Sequence, residues 1–397
     1  MSQSIYHFRK LTLLTVIISS VLVACSSHHR VENRVNSFEH LPEPPSLFVS
    51  ANFGPDGKLW RVLTSKRAVY VDYSTDNGKS FSHLQQINRQ TQIVKSSSEN
   101  RPSIAIDSKN RIYVTYAAEG QKPASLYLST SMDGGKQFSS PVFLSDKAEQ
   151  ANTFQASIAI NKRDQAFIFW HDDRDRTDYQ QLGNSIYYAQ IVDGVTTANI
   201  KASDVLCECC RLAVDFDTDN EPVVLGRFIY DATARDHGLL KFNDHHWQSW
   251  RVTDDDWKIE ACPEQGPALS ISDNGEYHIA WMTQGNRRKG LFYAHSTDHG
   301  MNFSTPMRIG NFDKLASNPA VFSQAQSIML TWQEFDGDRN QLFIQQSIDS
   351  GNTWLPPRLV ASSNSTADKP FFLSNSHQQI FLAWTTKNEG SQFFLVQ

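Results

Sequence analysis

Two repeats in the sequence predict an all-β chain: a β-propeller of four-stranded blades, with seven blades favoured over six. A strand, a polar turn and a second strand recur seven times along the 397 residues, at intervals of roughly 51 to 56 residues, within the range of four-stranded blades. An eight-residue pattern, Ser-x-Asp-x-Gly-x-x-aromatic, occurs four times in phase with that unit. Helical spacing of apolar residues never persists beyond about two turns, which argues against a helical bundle.

The units follow one another in order. The first leads from Leu47-Phe48-Val49 to Trp60-Arg61-Val62, and the second from Arg101-Pro102-Ser103-Ile104-Ala105-Ile106 to Ile112-Tyr113-Val114-Thr115-Tyr116. Ser157-Ile158-Ala159-Ile160 leads to Phe169-Trp170, and Leu212-Ala213-Val214-Asp215 to Val223-Val224-Leu225. Gly266-Pro267-Ala268-Leu269-Ser270-Ile271 leads to His278-Ile279-Ala280-Trp281, and Asn318-Pro319-Ala320-Val321 to Ile328-Met329-Leu330-Thr331-Trp332. The seventh, Phe371-Phe372-Leu373 to Phe381-Leu382-Ala383-Trp384, runs out of chain after Val396, and a segment near Val31 to Phe38 is expected to supply its outer strand.

The eight-residue pattern starts at Ser74, Ser131, Ser296 and Ser347, each time between two alternating strands. Ser and Asp side chains bond to nearby backbone, Gly supplies a positive φ, and the closing aromatic packs under the turn. The pattern resembles the Asp-box of sialidases and other BNR-repeat propellers. That resemblance implies a propeller on which these turns mark the structural face.

The repeat phase places two other sets of residues on the opposite face. The starts of innermost strands bring Arg101, Cys210, Arg211, Cys262, Glu264, Asn318 and Lys369; the ends of second strands bring Tyr116, Trp170 to Arg174, Arg227, Trp281, Trp332 to Glu334 and Trp384. Basic, acidic and aromatic groups converging on one mouth suit a polar ligand. His171, Arg174, Arg235, Trp281 and Trp332 are accordingly candidate ligand-binding residues.

Residues 1–24 read as an export signal. Arg9 and Lys10 precede an apolar run from Leu11 to Val23, too short to span a bilayer. The ending Leu22-Val23-Ala24-Cys25 resembles a lipobox, which implies cleavage before Cys25 and acylation there, with Ser26 implying the outer membrane. Residues 25–45 then form a tether and 46–397 the propeller domain. Loss of two cations and no acid moves the net charge from -5 to about -7, a poor match for nucleic acid. A monomer attached to a membrane by its lipid is expected, with an anionic or glycan-like ligand.

With Cys25 assigned to lipid, four cysteines are left: Cys207, Cys209 and Cys210 before the fourth unit, and Cys262 before the fifth. Neighbouring blades would set these loops side by side, so one cluster of four sulfurs is expected. An even number in an exported chain points to two disulfides, most simply with Cys262 bridged to one of the three. A soft-metal site for Cu(I) or Zn(II) and a redox-active thiol pair are the alternatives. No other cofactor is indicated.

Cys207-x-Cys209-Cys210-Arg211, Trp257 to Pro267, and Arg227-Phe228-Ile229-Tyr230 with Arg235-Asp236 resemble stretches of the sialidase-like lipoproteins often labelled exo-α-sialidases. By that resemblance Arg101, Arg211 and Arg227 would clamp a carboxylate through their guanidinium forks. Tyr230 would be the nucleophile, Glu264 its partner, and Asp172 or Asp173 the acid. No Arg-Ile-Pro opens the domain; Arg101-Pro102 opens the second unit instead.

Overall fold

The computed structural model describes residues 45–88, 92–120, 122–177, 183–231, 233–243 and 246–397. The expected export signal, the expected lipidation site Cys25, nearly all of the expected tether and the segment expected to complete the last blade lie outside the described residues. From Pro45 onward the chain forms seven antiparallel blades around one axis. No α-helix occurs among the described residues; one 3-10 turn spans Phe312–Lys314.

The innermost strands are Ser50–Phe53, Ser103–Ile106, Thr153–Ile160, Ala213–Phe216, Ala268–Ile271, Ser317–Gln324 and Phe371–Ser374. Each pairs with its second strand, for example Ala268 opposite Ala280 and Phe371 opposite Ala383. The first begins three residues later than expected, because the hairpin turns at Gly54, whose N–H donates to the Lys58 carbonyl at 2.8 Å. Innermost strands touch their neighbours all the way round, and Phe371–Ser374 touches Ser50–Phe53, so the ring closes. The seventh blade shows three strands among the described residues, ending with Gly390–Leu395.

Two blades are joined more tightly than the rest. Strand Ile200–Leu206 pairs with Asn184–Val192 of the third blade, and its last residue, Leu206, pairs with Phe228 of the fourth. The chain thus arrives at Cys207 as the end of a paired strand, with Cys207 N–H donating to the Arg227 carbonyl at 2.8 Å.

The core is divided among the joints between blades. Seven apolar clusters are present, and each takes side chains from two adjacent blades. Alternation along every strand sends one set of side chains to the preceding blade and the next set to the following one. Val223 and Leu225 face the fifth blade, whereas Val224 between them faces the third. The tryptophans ending the second strands sit deepest: Trp170, Trp281, Trp332 and Trp384 expose no more than 1% of their surface.

The four Ser-x-Asp turns work as the pattern predicts, with one addition. In the first, Ser74 Oγ donates to Asp76 Oδ1 at 2.7 Å and accepts from Gly78 N–H at 2.8 Å, and Asp76 Oδ1 accepts the N–H groups of Lys79 and Ser80. Burial works against ionisation of Asp76, but bonds from Ser80 and Ser74 hold its carboxyl at about 2. The addition concerns the glycines. A Cβ on Gly135 would overlap the Trp60 ring, one on Gly351 the Tyr293 hydroxyl, and one on Gly78 the Phe393 ring, each belonging to the preceding blade. The glycine therefore serves close approach as well as positive φ.

Candidate functional site

The innermost strands enclose a central cavity of about 450 Å³, and every blade contributes to its wall. Small side chains such as Ser103, Ala156, Ala213, Ala268 and Ala320 leave it open. At the mouth away from the Ser-x-Asp turns stand Glu99, Arg101, Arg211 and Lys369. Each lies in the stretch that leads into an innermost strand, where the chain crosses the rim.

Glu99 is the hub of this mouth. Its Oε1 accepts from Arg211 Nη1 at 2.9 Å and Lys369 Nζ at 3.1 Å; its Oε2 accepts the N–H of Arg211 at 3.1 Å and of Gly266 at 3.0 Å. One carboxylate from the second blade thereby ties together the lead-ins of the fourth, fifth and seventh. Burial opposes its ionisation, yet Arg211 and Lys369 hold it down to about 2. Burial and the Arg211 charge push Lys369 well below the ordinary lysine value. Arg101 is ion-paired with Asp368 and donates from Nη2 to the Lys369 carbonyl at 3.0 Å, while Ser98 Oγ donates to Asp368 Oδ1 at 2.7 Å. Three cations meet two carboxylates here. Arg101 Nε and Gln155 Oε1, both in the cavity wall, have no hydrogen-bond partner among the described residues.

Of the three expected clamp residues, then, Arg101 and Arg211 share the cavity mouth. Arg227 is diverted into the protein. It has 0% exposure, donates to the carbonyls of Arg235, Gln265 and Met282 at 2.9–3.0 Å, and stacks on Trp257 at 4.6 Å. Both of its terminal nitrogens are used by backbone, so it holds three segments together. Arg235 is buried too, with Nε on the Ile259 carbonyl at 2.9 Å.

The expected catalytic set is dispersed. Tyr230 packs by Phe228 and under the Arg251 guanidinium, and burial pushes its phenol up to about 12. Glu264 lines a hollow with Glu208 and Cys209 that adjoins the mouth, sharing Glu99 and Gln155 with the cavity wall. Asp172 is fully buried and accepts Trp170 Nε1 at 3.0 Å and Arg174 Nη2 at 2.7 Å. Asp173 is bound to Asn152, through its N–H at 2.6 Å and its Nδ2 at 2.8 Å. Arg174 also bonds Asp146 and Ser145 and stacks on Tyr187, away from the mouth. Trp281 and Trp332 give their indole N–H groups to Asp255 at 2.8 Å and Glu334 at 2.9 Å, and so are core residues, not cavity lining.

The cysteines depart from the expected pairing. No disulfide joins them, and three sulfurs come together instead of four. Cys207 Sγ lies 3.7 Å from Cys209 Sγ and 3.4 Å from Cys210 Sγ, and the three sulfurs all lie within 4.8 Å of one another. Cys262 is exposed and outside the group, because its loop stays at the surface while Cys207 and Cys210 point inward. Bonds from Cys209 and Cys210 draw the Cys207 thiol down to about 3. His171 lies beside Cys210, fully buried, and burial drives its imidazole down to about 4, hence neutral.

Glu99 and Asp368 were not candidates in the sequence, although a signal for them exists. An acid stands two or three residues ahead of the proline that opens an innermost strand: Glu99 before Pro102, Glu264 before Pro267 and Asp368 before Pro370.

The fold and this mouth define the class: a seven-bladed β-propeller with a charged rim around its central cavity. Three solved structures illustrate its fold relations. An ulvan lyase bound to GlcA(1-4)Rha3S has a TM-score of 0.58 at 12% identity, covering 89% of this chain and 93% of its own. A Hadza microbial sialidase has a TM-score of 0.51 at 13% identity, with 86% and 73% covered. The leech intramolecular trans-sialidase with 2,7-anhydro-Neu5Ac has a TM-score of 0.51 at 9% identity, with 85% and 83% covered. No family model and no curated protein sequence matches the chain.

Proposed function

We propose that this chain binds an acidic glycan, one carrying a carboxylate or sulfate group, at the cavity mouth. The observation that carries the reading is the convergence of Arg101, Arg211 and Lys369 on one opening, where they share the carboxylates of Glu99 and Asp368. Guanidinium forks suit carboxylate and sulfate, and a low-dielectric wall strengthens their pull. Support comes from the similar structures, which include two sialidase-type proteins and a lyase holding a uronate-bearing sulfated sugar. Tyr230 and Asp172 are held in contacts of their own, which makes binding the reading to test before hydrolysis. The same proposal keeps the domain at the outer membrane through lipidated Cys25, which loss of acyl labelling in Cys25→Ser would support.

The test is calorimetric titration of the full chain with sialyllactose, a glucuronate oligosaccharide and a neutral oligosaccharide. Acidic sugars should bind, more weakly in high salt, and Arg101→Ala should raise Kd by at least about tenfold, the loss of one charged hydrogen-bonded contact. Equal binding of neutral and acidic sugars, or no effect from both Arg101→Ala and Lys369→Ala, would refute it.

A further inference from the structure

The three sulfurs of Cys207, Cys209 and Cys210 sit beside the cavity mouth but take no part in its ion pairs. Their spacing is informative. A metal held by thiolates at about 2.3 Å in tetrahedral or trigonal geometry requires sulfurs roughly 3.8–4.0 Å apart. The separations of 3.7 and 3.4 Å lie close to that edge length and far from the roughly 2.05 Å of a disulfide. The backbone holds this arrangement: Leu206 is paired to Phe228, Cys207 N–H is bonded to the Arg227 carbonyl, and a tight turn comes next.

A second observation is independent of the sulfurs. His171 has 0% exposure and its ring lies against the Cys210 backbone, while no side chain among the described residues bonds either ring nitrogen. With one nitrogen turned to that backbone, the other keeps a buried lone pair that no side chain uses, which is costly unless something takes it up. There is also an access route. A hollow of about 280 Å³ opens onto the half-exposed Cys209, and its wall includes Glu208 and Glu264, carboxylates that would draw in a cation.

We propose that Cys207, Cys209 and Cys210 form a three-thiolate binding site for a soft monovalent cation, Cu(I), with His171 in its immediate shell. Three sulfurs without a fourth close at hand suit a trigonal d10 ion, and thiolates select Cu(I), whereas structural Zn(II) asks for four protein ligands. Binding displaces the thiol protons to solvent and involves no change of oxidation state. This site does not depend on the glycan reading, and either can fail alone.

The experiment is anaerobic titration of the full chain with Cu(I) against bicinchoninate, and with Zn(II) against a chromophoric zinc chelator. One Cu(I) should bind per chain, with three sulfur neighbours at about 2.3 Å by X-ray absorption. Cys209→Ser, at the half-exposed position where folding is least at risk, should weaken binding by at least about tenfold, and His171→Phe by about 10–100-fold, the range for residues of a metal's outer shell. Cys262→Ser should change nothing. Unchanged affinity in Cys209→Ser, a requirement for Cys262, tighter binding of Zn(II) than of Cu(I), or a disulfide among the three would each overturn the proposal.

Discussion

Glu99→Gln isolates the charge of the hub from its shape. The amide has the same size and can still accept one bond, but Arg211 and Lys369 lose their shared counter-ion, and its NH₂ meets backbone N–H donors that Oε2 now satisfies. The carboxyl falls from an ordinary 4.5 to about 2 on folding. At about 1.36 kcal/mol per pH unit, that corresponds to about 3 kcal/mol of stability at neutral pH, in line with the cost of about 3–5 kcal/mol for breaking a buried pair by removing one partner. The sign is set by the depressed value. Stabilisation is complete above the unfolded pKa of 4.5 and is lost as pH falls towards 2. Urea unfolding of the two proteins, monitored by tryptophan fluorescence, should show the variant weaker by about 3 kcal/mol at pH 7, with the gap shrinking below about 1 kcal/mol near pH 2.5. A gap under about 0.5 kcal/mol at pH 7, typical of a surface pair, would refute this account, as would a gap independent of pH.

Three further outcomes are expected. Gly351→Ala forces a side chain at φ 86° and into the Tyr293 hydroxyl, whereas Gly337→Ala at φ 101° meets open space; the first should lower the urea midpoint clearly more, costing about 2–4 kcal/mol against about 1. Arg227→Ala should destabilise by about 3–5 kcal/mol, since three carbonyls lose a buried charged donor, yet folded protein should bind the acidic glycan as wild type does. Asp215, on the cavity wall, has its carboxyl pushed up to about 6 by burial, although the Phe216 and Ile271 N–H groups donate to it; its stabilising effect is present below 3.8 and lost as pH rises through about 6, so the stability of Asp215→Asn relative to wild type should rise between pH 4 and pH 8, read by urea titration at both, while the amide's clash with one N–H donor costs the same at each.

The blades were legible because their signal is repeated. A strand pair that must be buried on two faces needs the same alternation each time, and the Ser-x-Asp turn needs its glycine each time. The phase of that repeat was enough to place Arg101 and Arg211 at one mouth. It could not tell Arg227 from them, because a buried guanidinium serving carbonyls and an exposed one serving a ligand have the same letter at the same strand end. Trp281 and Trp332 misled for a related reason: the end of a second strand is near the rim in sequence, but its indole turns between the blades to reach Asp255 and Glu334. Cys262 and Cys207 lie in adjacent blades, but the sequence carries no sign of which way each loop faces. Glu99 was missed because it belongs to a polar loop, Ser96 to Asn100, whose partners are more than a hundred residues away along the chain.

The seating of each Ser-x-Asp glycine against the preceding blade has a topological consequence. Gly135 leans on Trp60, Gly351 on Tyr293, and Gly78 of the first blade on Phe393 of the last. With Gly300 on Leu239 these seats occur at four joints, all in the same direction, and the one at Gly78 bridges the last blade to the first. The chain's two ends are an accident of where the circle is cut. A chain reopened at the loop between the fifth and sixth blades, with its present ends linked, would keep every such seat. One shortened by its first, fourth, fifth or seventh blade would leave a turn with nothing behind it.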